Sequence, residues 1–259
     1  MICNIAAYHF VPIDDVDAWV DRLREQADTL ALKGTILVAP EGLNLFLAGT
    51  EPNVAAFLTA LRADARFADI QVKYSRSRQV PFARLKVKRK REIIAFRRDQ
   101  ASPLEQGRAP AVSPHTLKRW MAQGCDDHGR RLVLLDTRNR EEVAYGSFAG
   151  AVTLPIDNFT DLPAAIADQR EALADATVVS FCTGGIRCEK AALWMQAHGV
   201  PGVHQLDGGI LGYFEQVGGE GYEGRCFVFD ERVALDPTLA PMVDVDVDAA
   251  VPGVTTDAA

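Results

Sequence analysis

The apolar residues of this chain change their rhythm once, across the segment "RRDQASPLEQGRAPAVSP" at residues 97–114. Three prolines and no apolar periodicity mark that segment as a connector. Before it, residues 2–11 read as a strand. Val16, Trp19, Val20, Leu23, Ala27 and Leu30 then recur at helical spacing behind Asp14 or Asp15 as cap. "GTILVAP" and "LFLAG" form a hairpin about the turn "EGLN", a second helix is capped by Thr50 with Pro52 in its first turn, and "IQVKYSRS" is a fourth strand. "RLKVKRKREIIAF" alternates as one strand more, with Lys86, Lys88 and Lys90 on one face and Leu85 and Val87 on the other.

The order βαββαβ is the ferredoxin-like arrangement, an antiparallel sheet with two helices on one face. After the connector the pattern becomes alternating β and α, with strands at "LVLLDTR", "AVTLP", "VVSFC" and "VHQLDGG". Helices fall at "SPHTLKRWMAQG", "NREEVAYGS", within 161–174, at "EKAALWMQAHG" and at "ILGYFEQVG". That alternation predicts a parallel sheet covered by helices on both faces. The expected organisation is an α+β domain over 1–100, a linker over 101–112, an α/β domain over 113–234 and an acidic, disordered tail over 235–259.

No apolar run approaches the roughly 18–20 residues that span a bilayer, and the N-terminus does not read as a secretory signal, so no membrane and a cytoplasmic location are expected. The five cysteines are scattered without a CxxC pair, and the five histidines show no ligand spacing, so no metal is predicted. No dinucleotide or flavin glycine fingerprint occurs, and no cofactor is detectable. The net charge of −7 hides a sharp asymmetry. Residues 73–98 hold eleven Lys and Arg against one acid, Glu92, leaving 17 basic and 34 acidic residues elsewhere. Such a local cationic stretch suits a polyanion, and Lys86, Lys88, Arg89, Lys90 and Arg91 are the candidate RNA contacts. The competing reading is an edge strand whose lysines block edge-to-edge pairing. Tyr74 and Phe82 read either as stacking platforms for bases or as core.

The chemistry concentrates in "FCTGGIRC", residues 181–188. A strand ends in a thiol, and two glycines and an arginine precede a helix. Backbone N–H groups converge at such a turn and the helix N-terminus adds positive potential, which lowers a thiol pKa. Cys182 is therefore the candidate nucleophile, Arg187 closes its cradle, and Thr183, Gly184, Gly185 and Ile186 line it. Gly184 and Gly185 remove Cβ atoms that would obstruct the loop. Only four residues separate Cys182 from Arg187, one fewer than in loops that encircle phosphate, so the cradle suits sulfur better than a phosphoryl group. Asp136 and Arg138 read as organisers of the site or as an ion pair holding a loop. Cys188 reads as packing or as a resolving thiol.

The second half, through "LLDTRNREEVAYGSFAGAVTLP", "FCTGGIRC" and "LDGGILGYFE", resembles a rhodanese domain. The resemblance implies that Cys182 carries sulfane sulfur as a persulfide and that Asp136 and Arg138 match the family's strand-end motif. Together with "EGLNLFLAG", "PFARLKVKRKREII" and "RCFVFDERVAL", these segments are similar in order to the rhodanese-containing tRNA uridine hydroxylases. Two features differ from that family's usual pattern: Leu45 and Phe46 follow "EGLN", and Cys226 stands where longer members carry a cysteine-rich extension. The resemblance implies oxygen-dependent conversion of the tRNA wobble uridine to 5-hydroxyuridine, with molecular oxygen as co-substrate, tRNA as partner and the loop cysteine essential. The alternatives are a sulfurtransferase moving sulfur from thiosulfate or another donor to a thiol acceptor, and a rhodanese-like binding module.

Overall fold

Alternation along the first strand decides how the N-terminal half is used. In a computed structural model that describes residues 1–244, β1 (Ile2–Phe10), α1 (Val16–Thr29), β2 (Lys33–Ala39), β3 (Gly42–Gly49), α2 (Glu51–Arg62), β4 (Val72–Ser77) and β5 (Leu85–Arg89) form one sheet of order β4-β1-β3-β2-β5 with two helices. Cys3, Ile5 and Ala7 of β1 and Leu43, Leu45 and Leu47 of β3 join Trp19, Leu23, Phe57 and Leu61 of the helices in one core. Because strand side chains alternate, Asn4, Ala6 and Tyr8, with their register partners Ala48, Phe46 and Asn44, point to the helix-free face. The ferredoxin-like expectation holds with one addition: β5 pairs parallel to β2 at the far edge.

The strand expected to run to residue 96 ends at Arg89. Lys90 N–H still donates to Val38 O, but beyond it carboxylates take the amides. Ile93 N–H donates to Glu41 (2.7 Å) and Phe96 N–H to Glu92 (2.6 Å). Released from the sheet, Phe96 stacks on Phe159 in the second half, centroids 4.6 Å apart. The expected linker is likewise folded. Ala101 and Ala109 are buried in the second half's core beside the short α3 (Pro103–Gln106), and β6 (Ala111–Val112) is a strand of its sheet.

The remaining elements are α4 (Pro114–Gln123), β7 (Leu132–Asp136), α5 (Arg140–Val143), β8 (Gly146–Phe148), β9 (Val152–Thr153), α6 (Leu162–Ala167), α7 (Arg170–Ala174), β10 (Thr177–Phe181), α8 (Ile186–Ala197), β11 (Val203–Leu206), α9 (Gly209–Val217), β12 (Tyr222–Gly224), β13 (Cys226–Phe227) and β14 (Ala234–Leu235). The sheet β6-β11-β10-β7-β9 is parallel throughout. Residues of α6, α7 and α8 cover one face, and those of α4 and α9 the other, as the alternation predicts. The single helix expected within 161–174 is two short ones. Residues 235–244, expected to begin a disordered tail, are folded: Leu235 is buried, and Asp236 accepts from the N–H groups of Thr238 and Ala240, turning the chain back. The rest of the expected tail lies outside the described residues.

Ion pairs fasten the two halves together. Lys190 of α8 is buried, with its Nζ 2.8 Å from Glu41, 3.0 Å from Glu92 and 3.1 Å from the Ile94 carbonyl. Tyr8 donates to Glu189 (3.0 Å), which also accepts from Arg108 and Gln205. Removing one partner from a buried ionic cluster leaves the others uncompensated, at a cost of about 3–5 kcal/mol. Lys190→Met should lose stability of that order in urea unfolding, and a loss below about 1 kcal/mol would show that the cluster does not hold the halves together.

Candidate active site

The Cys182 loop is built by two helix starts rather than one. Buried β10 delivers Cys182, and α8 begins four residues later. Gly185 between them takes φ +98°, a left-handed conformation that disfavours any side chain, and its N–H donates to Cys182 Sγ at 3.2 Å. The start of α9 braces the same loop from below: Ile210 N–H donates to Cys182 O and Leu211 N–H to Thr183 O, both at 3.0 Å. Gly209 permits that approach, because a Cβ there would lie 2.5 Å from the Cys182 carbonyl oxygen. Gly184 differs from the expectation. A Cβ on it would meet open space, so it leaves access to the sulfur rather than relieving a clash.

Cys182 is 1% exposed. Burial raises a thiol pKa, but here it is outweighed by the Cys188 thiol donating to the sulfur, by the Arg187 charge, and by the N–H groups of Arg187 and Gly185. Together they lower it from 9.0 to about 5. The effect is local. Burial pushes Cys188 well up and Cys226 up to about 12. Arg187 is buried and gives a two-pronged pair to Glu142, at 2.5 and 2.6 Å. Glu142 also accepts from Thr183 (3.4 Å) and from Asn139 N–H at the start of α5. The sequence reading missed this carboxylate, which fixes the arginine beside the sulfur. Asp136 and Arg138 are fully buried and bond each other, with Arg138 reaching Gly146 O and Ser147 reaching Asp136. They line no part of the cavity above Cys182 and hold the neighbouring loop. Ile186 is buried against Ala39 and Ile93 at the junction of the halves.

Above the sulfur lies a cavity of about 640 Å³ whose opposite wall is the helix-free face of the first sheet. Tyr8, Asn44, Phe46 and Lys73 project from that sheet toward the loop. A Cβ on Gly185 would come within 3.0 Å of the Tyr8 hydroxyl, so the two walls touch there. Burial, together with the nearby Glu189, raises the Tyr8 pKa, and burial lowers that of Lys73. Tyr74, 44% exposed, and Phe82 both line the cavity and belong to neither core. His9 turns the other way, against Phe67 on the helix side.

The expected RNA contacts divide by face. Lys86 and Lys88 are exposed on the helix-free face, because Val87 between them is in the helix-side core. Arg89 is on the helix side, 2.6 Å from Asp17. Lys90 and Arg91 are exposed just past the strand. None of the five lines the cavity. Its cations among the described residues include Lys73, Arg97, Arg187 and Arg232.

A thiol held near 5 is ionised across the neutral range. The rate of Cys182 alkylation by iodoacetamide should therefore rise through about pH 5 and be flat from pH 6.5 to 8. A rate still climbing at pH 8, as for a free thiol, would show that the cradle does not hold the anion.

Residues 2–93 match the UPF0176 acylphosphatase-like domain and residues 113–216 the rhodanese-like domain. A tRNA uridine(34) hydroxylase of Xanthomonas euvesicatoria pv. vesicatoria is 68% identical over 95% of this chain and 99% of its own length. One of Xanthomonas campestris pv. campestris, strain 8004, is 68% identical over 94% and 96%. One of Xylella fastidiosa is 62% identical over 95% and 96%. With both domains in place and its reactive loop facing the open sheet, the chain belongs to the tRNA uridine(34) hydroxylase family.

Proposed function

We propose that this protein hydroxylates uridine 34 of tRNA at C5, with Cys182 as the reactive thiolate. The observation that carries the reading is the Cys182 sulfur, bonded by the Gly185 amide, at the floor of a cavity roofed by a second domain, in a chain 68% identical to hydroxylases of that name. The cavity has room for one nucleotide turned out of its stack, and enzymes that act on a base extrude it in this way. The C5=C6 bond of uracil is conjugated to the C4 carbonyl. A thiolate adding at C6 moves electron density onto C5, the carbon that gains the hydroxyl. Arg187 and the loop amides hold the sulfur anionic before that step and after it departs. Molecular oxygen supplies the new oxygen atom, and C5 gives up its proton as the thiolate leaves C6, which restores the C5=C6 bond. The second atom leaves as water, on taking two electrons and two protons from an external thiol reductant.

Lys86 and Lys88 share a sheet face with the cavity, which supports a phosphate track leading from it across the edge strand. A second reading, sulfur transfer, is favoured by the amide that donates to Sγ, since the same donor suits the outer sulfur of a persulfide.

Transfer RNA from cells lacking the protein should be without the 5-hydroxyuridine it forms, and wild type but not Cys182→Ser should restore it, as read by nucleoside mass spectrometry. Normal 5-hydroxyuridine in the deleted strain, with thiosulfate turnover by the purified protein, would favour sulfur transfer instead. For the track, Lys86→Ala/Lys88→Ala should flatten the log–log salt dependence of tRNA binding by about 1.4, two phosphate contacts at roughly 0.7 each. An unchanged slope would place the RNA elsewhere.

A further inference from the structure

One polar side chain in the cavity is pinned and yet half unused. Asn44 ends the "EGLN" segment, expected as a turn but already in β3 from Gly42 on because Gly42, Leu43 and Asn44 pair with β2, and is 6% exposed on that strand's helix-free face. Its Nδ2 donates to the Ile93 carbonyl at 3.1 Å. A carbonyl can only accept, so the amide has one orientation and its Oδ1 is turned away from Ile93. No described residue donates to that oxygen. Asn4, on the same face, also has an Oδ1 without a partner, but that atom is sealed from solvent, and Asn44 Oδ1 is not. A buried residue thus offers the cavity a fixed, pure acceptor.

Its position matches a base above Cys182. Asn44 is the cross-strand register partner of Tyr8, so their Cβ atoms stand about 4.5–5.5 Å apart. The Tyr8 hydroxyl in turn abuts Gly185 of the reactive loop. Phe46, two residues along the same face, and Ile94, beside the pinned amide, give apolar surfaces for the faces of a ring. Uracil carries one ring donor on its pairing edge, N3–H, and cytosine has a lone pair at the same atom. C6 lies directly across the ring from N3, so an acceptor that fixes N3 also fixes where the C5–C6 bond points.

We propose that Asn44 Oδ1 accepts the N3–H of the target uracil, selecting uracil over cytosine and turning the C5–C6 bond, with C6 foremost, toward Cys182. This rests on the hydroxylase reading. It makes Asn44 a specificity residue of the cavity, distinct from the cations that hold phosphate.

The test compares the full-length protein on tRNA carrying uridine, cytidine or N3-methyluridine at position 34. Wild type should bind the last two roughly tenfold to a hundredfold more weakly than uridine, the span of one good polar base contact. It should not hydroxylate N3-methyluridine. Asn44→Ala should bring all three affinities to the weak level, while its Cys182 alkylation profile stays that of wild type, which shows an intact loop. If wild type binds and hydroxylates N3-methyluridine as well as uridine, the assignment is wrong and the hydroxylase reading stands. Asn44→Ala that keeps the wild-type preference also overturns it. Failure of wild type to hydroxylate uridine 34 overturns both. The wild-type arm depends on no variant folding.

Discussion

A sulfur anion removed from water is stable only where positive potential replaces the lost hydration, and the second domain is arranged around meeting that condition. β10 brings Cys182 into the interior, the left-handed Gly185 turns an N–H back onto it, and α8 starts at the same point. Arg187 adds a full charge, and Glu142 keeps that charge in place while balancing part of it. Gly209 at the start of α9 serves the same loop, since it lets the amides of Ile210 and Leu211 occupy the Cys182 and Thr183 carbonyls from below. The first domain's sheet forms the wall opposite that loop, which thus faces protein.

What it faces explains why the first domain is present. A ferredoxin-like sheet with helices on one side leaves the other side bare, and this one sets its bare face over the reactive sulfur. Beside a small apolar patch of Ala39, Ile93 and Ile186, the junction is held by directional polar contacts: Lys190 between two carboxylates, Glu189 among Tyr8, Arg108 and Gln205, and Arg232 on Ser75 at 2.6 Å. Directional bonds of this kind fix the distance between two walls without filling the space between them. The "EGLN", "KREII" and "CEK" segments, far apart in the chain, meet in one ion cluster through Glu41, Glu92 and Lys190.

The two folds were legible because periods of 2 and 3.6 are written locally, and the reactive loop because its residues are contiguous. Features set by distant partners were not. Glu142 lies 45 residues from Arg187, and Asn44 lies 49 from Ile93, so neither pairing leaves a mark in sequence spacing. Alternation carried the strand through residue 96, although side-chain carboxylates had already taken the backbone amides at 93 and 96. Prolines marked 101–112 as a linker, yet two residues there are enough to add a sheet edge strand. The cationic stretch was visible as composition, but only the strand register separates Lys86 and Lys88, on the helix-free face of the sheet, from Arg89, tied to Asp17 on the helix side.

The central claim is that the Cys182 sulfur meets the ring of uridine 34. A tRNA bearing 5-fluorouridine at that position tests it directly, because fluorine cannot leave C5 as a proton would and a C6 thiolate adduct persists. The account predicts a complex that survives denaturation, with the nucleotide mass on the peptide containing Cys182. An enzyme that hydroxylates uridine 34 yet forms no such adduct, or forms it on another cysteine, would contradict it.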